Sequence, residues 1–279
     1  MTKRILVGAC AVLITALSAT GSRADEQDGN SAAIHALRMA IEHDYAYRDL
    51  RVKDWDIEFR RYHSELARAP SPDQFAEVAA RLLSAAKDVH LNIVVGGRKI
   101  PTYWATHLHP KCNPAIMPQL VPEWKQHNRI IASGRFPSGP CYLSIGLWVA
   151  RRPTDFDAVF DVIDQMSGTD SLIIDVRHNP GGSETLAQSV AECFVDRAVI
   201  YATHRKTDRT SSDGFTPTRS RVLQPNTKHP YHGGPVVILM GPKCVSTTES
   251  FLLMMREATG CTLIGESSYG ASGAPRPVK

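Results

Sequence analysis

The sequence predicts an α/β fold in which a small α-helical domain precedes an α/β core. Three observations carry this. Apolar residues recur at helical spacing across residues 31–90. SLIIDV (171–176) and PVVILMG (235–241) are continuous apolar runs, the pattern of strands buried on both faces. Around those runs helical and strand patterns alternate, which implies parallel pairing in a layered core. The chain has 279 residues, 43% hydrophobic and 22% charged, an ordinary globular composition with enough apolar material for a sizeable core.

At the N-terminus Lys3 and Arg4 precede an apolar run from Ile5 to Leu17, and Ser22, Arg23 and Ala24 give a small-x-small cleavage pattern. Residues 1–24 therefore read as an export signal, with a mature chain from Asp25 and a periplasmic or secreted location. The run is too short to span a bilayer, so no stable membrane insertion is expected after cleavage. The signal carries three positive charges and no negative ones, so its removal lowers the net charge from +4 to +1. No basic block stands out, and a nucleic-acid partner is not expected.

Residues 25–90 form the expected helical domain. Ile34, Leu37, Ile41 and Tyr45 line one face, and Trp55, Phe59, Tyr62 and Leu66 line another. Ser71 and Pro72 start a third helix, with Phe75, Val78, Leu82 and Ala86 on its apolar side. The core is expected over 91–279. LNIVV (91–95) reads as a strand, residues 100–140 are Pro-rich and of mixed character, and CYLSIGLW (141–148) is a strand. A helix opens at Thr154 and the strand 171–176 follows. Next come a helix over 183–194, a strand over 198–204 and a polar surface loop over 205–234. A strand over 235–241, a helix from 246 and the strand CTLIGE (261–266) complete the pattern. Past the signal, Cys112, Cys141, Cys193, Cys244 and Cys261 form an odd set whose pairing the sequence does not fix.

Ser246 carries the first chemical question. With Glu249 three residues on, it forms a capping box where a strand turns into a helix. The same place puts a hydroxyl at the positive end of a helix dipole, beside backbone N–H groups that can stabilise an oxyanion. A second stretch, Asn179, Pro180, Gly181 and Gly182, follows one buried strand and precedes a helix. Paired glycines there permit close backbone approach and leave N–H donors open.

LIIDVRHNPGGS, then PVVILMGPKCVSTTESF, then TLIGESSYG together resemble the carboxyl-terminal processing peptidases, a serine peptidase family that includes tail-specific proteases and the tricorn core. The likeness covers about residues 31–273. It implies a ClpP/crotonase-like core and hydrolysis of peptide or protein-tail bonds through an acyl-enzyme, with no metal or organic cofactor. It makes Ser246 the nucleophile and assigns the oxyanion hole to N–H groups of Gly181 or Gly182 and of Thr247. The tail-specific branch uses a lysine where this chain has Ala271, so the lysine form of the mechanism is absent. The tricorn-like branch uses a histidine at the end of its helical part, which implies His90 as general base. Asp88 and Glu266 are the candidates to orient it. Only about 50 residues separate His90 from CYLSIGLW, too few for the PDZ module of tail-specific relatives.

Relatives continue beyond the GAS region, so the chain ending at PRPVK is expected to be truncated at the C-terminus. The missing lysine and early end suit an alternative, a non-catalytic family member that binds peptides or apolar ligands. Oligomeric state is not readable. His107, His109 and Cys112 are the best metal ligands on offer, but no second cluster supports them and no metal is expected. Arg177 and His178 beside the glycine turn read as surface or substrate-contact residues, and Lys243 as a poor base.

Overall fold

The structure, a computed structural model, describes residues 11–12, 23–105, 108, 111–137, 139–166, 171–273, 275 and 277–278. In chain order the first elements are β1 (Ala11–Val12), α1 (Arg23–Asp44), α2 (Arg48–Arg51), α3 (Trp55–Ala67) and α4 (Pro72–Leu83). They are followed by β2 (Asn92–Val95), β3 (Arg98–Pro101), α5 (Met117–Leu120), β4 (Lys125–Gln126), β5 (Ile131–Arg135) and β6 (Cys141–Ile145). Then come α6 (Asp157–Asp164), β7 (Leu172–Asp175), α7 (Glu184–Ala191), β8 (Val199–His204) and β9 (Arg219–Leu223). The last are β10 (Val236–Met240), α8 (Thr247–Met255), β11 (Cys261–Gly265) and β12 (Pro277–Val278). The chain divides into two units. The expected export signal falls largely outside the described residues. Among the described residues no helix is long and apolar enough to cross a membrane.

The helical unit holds α1 to α4. Asp54 caps α3 by accepting from the N–H groups of Asp56 and Ile57. Ser71 caps α4, its Oγ accepting from Gln74 N–H at 3.3 Å with Pro72 in the first turn. Leu37, Ile41, Phe59, Leu66, Phe75 and Leu82 meet in one buried cluster. Each such side chain contributes about 1.5–3 kcal/mol by leaving water. The antiparallel hairpin of β2 and β3 belongs to the same unit, because Ile93 and Val95 bury in that cluster. The helical unit therefore continues past residue 90, where the sequence reading closed it. Short parallel bridges link β1 to β12 and to β2.

The polar stretch after β8 is not one surface loop. Thr207 bridges Phe215, and Arg205 Nε donates to the Thr216 carbonyl at 2.8 Å, both within the helical unit. Further on, β9 pairs with β8 and buries Leu223 completely.

The second unit is built on a six-stranded sheet of order β11-β10-β7-β6-β5-β4. β11, β10, β7 and β6 run parallel. β5 runs antiparallel to both of its neighbours, β4 and β6, because the short connections on either side of it permit only hairpin returns. On one face Leu143, Ile145, Ile174 and Ile238 pack with Trp148, Phe156, Phe194 and Phe251. α8 is buried nearly all round, its polar first turn from Thr247 to Ser250 included, and its second half from Phe251 to Met255 is apolar.

Candidate active site

β7 and β10 are neighbours in parallel register, with Asp175 opposite Leu239. Both end at the same edge of the sheet, where open α/β folds place their ligand crevices. The chain leaving β7 makes the Asn179–Gly182 turn, and the chain leaving β10 makes the turn that ends at Ser246.

Asn179 is fully buried and fastens its turn from three directions. Its Nδ2 donates to the Ile145 carbonyl at 3.0 Å, while its Oδ1 accepts from Gly181 N–H at 2.9 Å and from Thr248 Oγ1 at 2.8 Å. Trp148 Nε1 donates in turn to Thr248 Oγ1 at 3.0 Å, so a buried chain of polar groups ties the turn to α8. Gly181 and Gly182 sit at φ of 115° and 134°, conformations that L side chains avoid. A Cβ on Gly181 would lie 3.0 Å from Ser246 Cβ, and one on Gly182 would lie 2.2 Å from the Trp148 carbonyl oxygen. Only glycine lets this turn press against Ser246.

Ser246 is half-buried and held at φ 58°, ψ −122°, a strained conformation for a residue with a side chain. Ser246 and Glu249 stand in capping-box register, but the side-chain bond that closes is Glu249 Oε2 accepting from Ser246 N–H at 3.3 Å. The same N–H donates to the Ala271 carbonyl at 2.9 Å. Ser246 Oγ makes no cap hydrogen bond. Glu249 is itself buried, and its other oxygen accepts from Ser268 Oγ at 2.8 Å and from Gly270 N–H at 2.6 Å. Burial pushes the Glu249 carboxyl up, and these bonds only partly oppose it.

Of the three N–H groups expected to meet an oxyanion, that of Gly181 is engaged by Asn179. Those of Gly182 and Thr247 donate to nothing among the described residues. The Gly182 carbonyl accepts from Thr247 Oγ1 at 2.6 Å, which holds these two residues together.

In the helical unit Asp88 and His90 form a second cluster. Lys87 in the left-handed region, φ 47°, turns the chain after α4. Asp88 is 1% exposed. Its Oδ1 accepts from the His90 backbone N–H at 2.9 Å and lies 3.2 Å from His90 Nδ1, and its Oδ2 accepts from Tyr45 Oη at 2.9 Å. Burial pushes the Asp88 carboxyl up, but the bonds from the His90 ring, the His90 N–H and Tyr45 outweigh it and hold the group below its ordinary value. An ionised carboxylate only accepts, so Nδ1 carries the proton and Nε2 is the basic nitrogen.

Glu266, the other candidate acid, accepts from Lys111 N–H at 3.3 Å and lies 3.7 Å from Lys111 Nζ. Asp88 is the acid in contact with His90. Among the described residues no three metal-ligating side chains cluster, and His107 and His109 lie outside those residues. The sequence named Asn179 only as part of its turn, and it did not point to Tyr45 or Thr248 as site residues. Asn179 had a signal, a turn-forming residue just before Pro-Gly-Gly; the other two join through separations of 43 and 69 residues.

The model for peptidase family S41 matches residues 141–279. No curated protein matches the chain. Among solved structures, a candidate peptidase from Parabacteroides merdae is similar with a TM-score of 0.71 and 21% identity, over 90% of this chain and 78% of its own. A lipoprotein from Streptococcus agalactiae is similar with a TM-score of 0.50 and 11% identity, over 91% of this chain and 80% of its own. Both are likenesses of fold. The family match spans the glycine turn, Ser246 and the loop clamped by Glu249, and through these residues the segment 141–279 belongs to peptidase family S41.

Proposed function

We propose that the chain is an exported serine peptidase of the PDZ-less, histidine-based kind, acting on peptide or protein tails in the periplasm or outside the cell. The observation that carries this reading is Ser246. Its backbone is held at positive φ, its hydroxyl is not used as a cap, and a glycine turn packs directly on it. Strain of this kind, of about 1–3 kcal/mol, persists where the surroundings enforce it, and it clusters at active sites.

In the proposed reaction Ser246 Oγ attacks the peptide carbonyl carbon and its proton passes to His90 Nε2. Asp88 holds the imidazole in the required tautomer and stabilises the imidazolium that forms. The carbonyl oxygen, now negative, accepts from the N–H groups of Gly182 and Thr247. Collapse breaks the C–N bond, and the proton goes from His90 to the leaving amine. Water then attacks the acyl-enzyme by the same route in reverse.

A fluorophosphonate probe tests the reading, because it reacts with activated serines and ignores capping ones. Peptide mapping of the labelled full chain should place the adduct on Ser246 and nowhere in Ser246→Ala. His90→Ala should slow labelling by about 10²–10⁴. A folded protein that is never labelled would favour a binding role, and equal labelling of His90→Ala would remove His90 as the base.

A further inference from the structure

Two residues that the mechanism does not use meet beside the glycine turn. Cys112 Sγ lies 3.2 Å from His178 Nε2, although 66 residues separate them in sequence. Both line a cavity of about 200 Å³ on the sheet face opposite the main core, together with Met117, Trp124, Tyr142 and Asp175. Alternation along β6 turns Tyr142 and Ser144 to this face, and Asp175 lies opposite Ser144 in register. The floor is rigid. Tyr142 Oη donates to Asp175 Oδ2 at 2.6 Å, and Arg177 Nε donates to Asp175 Oδ1 at 2.9 Å.

The other cysteines differ. Cys193 and Cys244 are fully buried, and burial pushes the thiols of Cys193, Cys244 and Cys261 up to about 12. Cys141 is buried within β6. Cys112 is half-buried at a cavity and has an imidazole in contact. Burial and the nearby Asp175 raise its thiol while Arg177 opposes the rise, and burial with Lys243 pushes the His178 imidazole down, so the pair rests on its contact and its access to the cavity.

We propose that Cys112 and His178 form a thiol–imidazole pair that makes this cavity a covalent modification site for small disulfides carrying a flat apolar group. Trp124, Met117 and Tyr142 supply the apolar walls such a group needs. His178 Nε2 takes the Cys112 proton and the sulfur attacks one sulfur of the incoming disulfide. The S–S bond of the reagent breaks, and its departing half leaves as a thiol with the proton from His178. The chain keeps a mixed disulfide on Cys112, against His178, the residue before Asn179. The inference does not depend on Ser246 being active.

The test uses the full chain with its sixth cysteine removed by Cys10→Ser, and 4,4′-dithiodipyridine, read by thiopyridone release and peptide mass mapping. Cys112 should react at least about tenfold faster than Cys141, Cys193, Cys244 and Cys261. Cys112→Ser should abolish the fast phase, and His178→Asn should slow it by about tenfold or more. In urea the preference for Cys112 should vanish, a control that does not rely on any variant folding. Another cysteine reacting first in the folded chain, an unchanged rate in folded His178→Asn, or a preference that survives urea would each overturn the proposal.

Discussion

The two clusters proposed to share one reaction are made of different material. Around Ser246 the proposed parts belong to the backbone: N–H groups of Gly182 and Thr247 with no acceptor among the described residues, glycines at positive φ, and a serine whose own φ is strained. Around His90 they are side-chain tips, with a phenol and an imidazole converging on one buried carboxylate. A backbone site tolerates change in what side chains carry but not an added Cβ. A side-chain site tolerates its neighbours changing but not the loss of one polar atom.

The largest effect should come from the backbone side. Gly182→Ala puts a methyl 2.2 Å from the Trp148 carbonyl oxygen at a φ of 134°, and the backbone cannot yield cheaply. We expect a loss of more than about 3 kcal/mol in urea unfolding. Wild-type stability in this variant would mean that the backbone at this turn yields as readily as a side-chain tip.

Asp88→Asn tests the other cluster. It should slow Ser246 labelling by about 10²–10⁴ through loss of the tautomer that leaves Nε2 free, and lower stability near neutral pH by about 1–3 kcal/mol. The pH dependence has a definite sign. The Asp88 carboxyl is held below its ordinary value of 3.8 in the fold, so its contribution is present above that pH and is lost as pH falls through the folded value. Melting curves taken downward from neutral pH should therefore show a shallower acid loss in Asp88→Asn than in wild type.

Two smaller effects sharpen the contrast. Ser246→Gly removes the hydroxyl yet relieves the φ of 58°, so it should end labelling while raising stability by up to about 1 kcal/mol. A drop in melting temperature would mean that the hydroxyl supports the fold after all. Tyr45→Phe removes one of the bonds to Asp88 and should cost about 0.5–1.5 kcal/mol, with labelling slowed less than tenfold.

How much could be read in advance follows the same division. The strands of the parallel sheet were legible because LIID and VVILM are long apolar runs with few alternatives. β5 was not, since Ile131 to Arg135 holds a serine and a glycine and lies in a Pro-rich region. β9 hid in a polar stretch because only Leu223 of its five residues is buried. Ser246 and His90 could be named from type and order, but a letter does not show a φ, and nothing in KDVH shows that a left-handed Lys87 folds Asp88 back onto His90. Cys112 and His178 carried separate readings, and only the fold puts them together.

The loop behind Ser246 has one more consequence. Ala271 stands where the tail-specific branch carries its lysine, and here it is fully buried with its carbonyl bound to Ser246 N–H. A lysine side chain at that position would have to displace packed neighbours and bring an ammonium into a dry place, which costs several kcal/mol unless it is paired. Exchanging Ala271 alone for lysine therefore fails on packing before it can supply a base, and the loop behind Ser246 would have to be rebuilt around the new side chain.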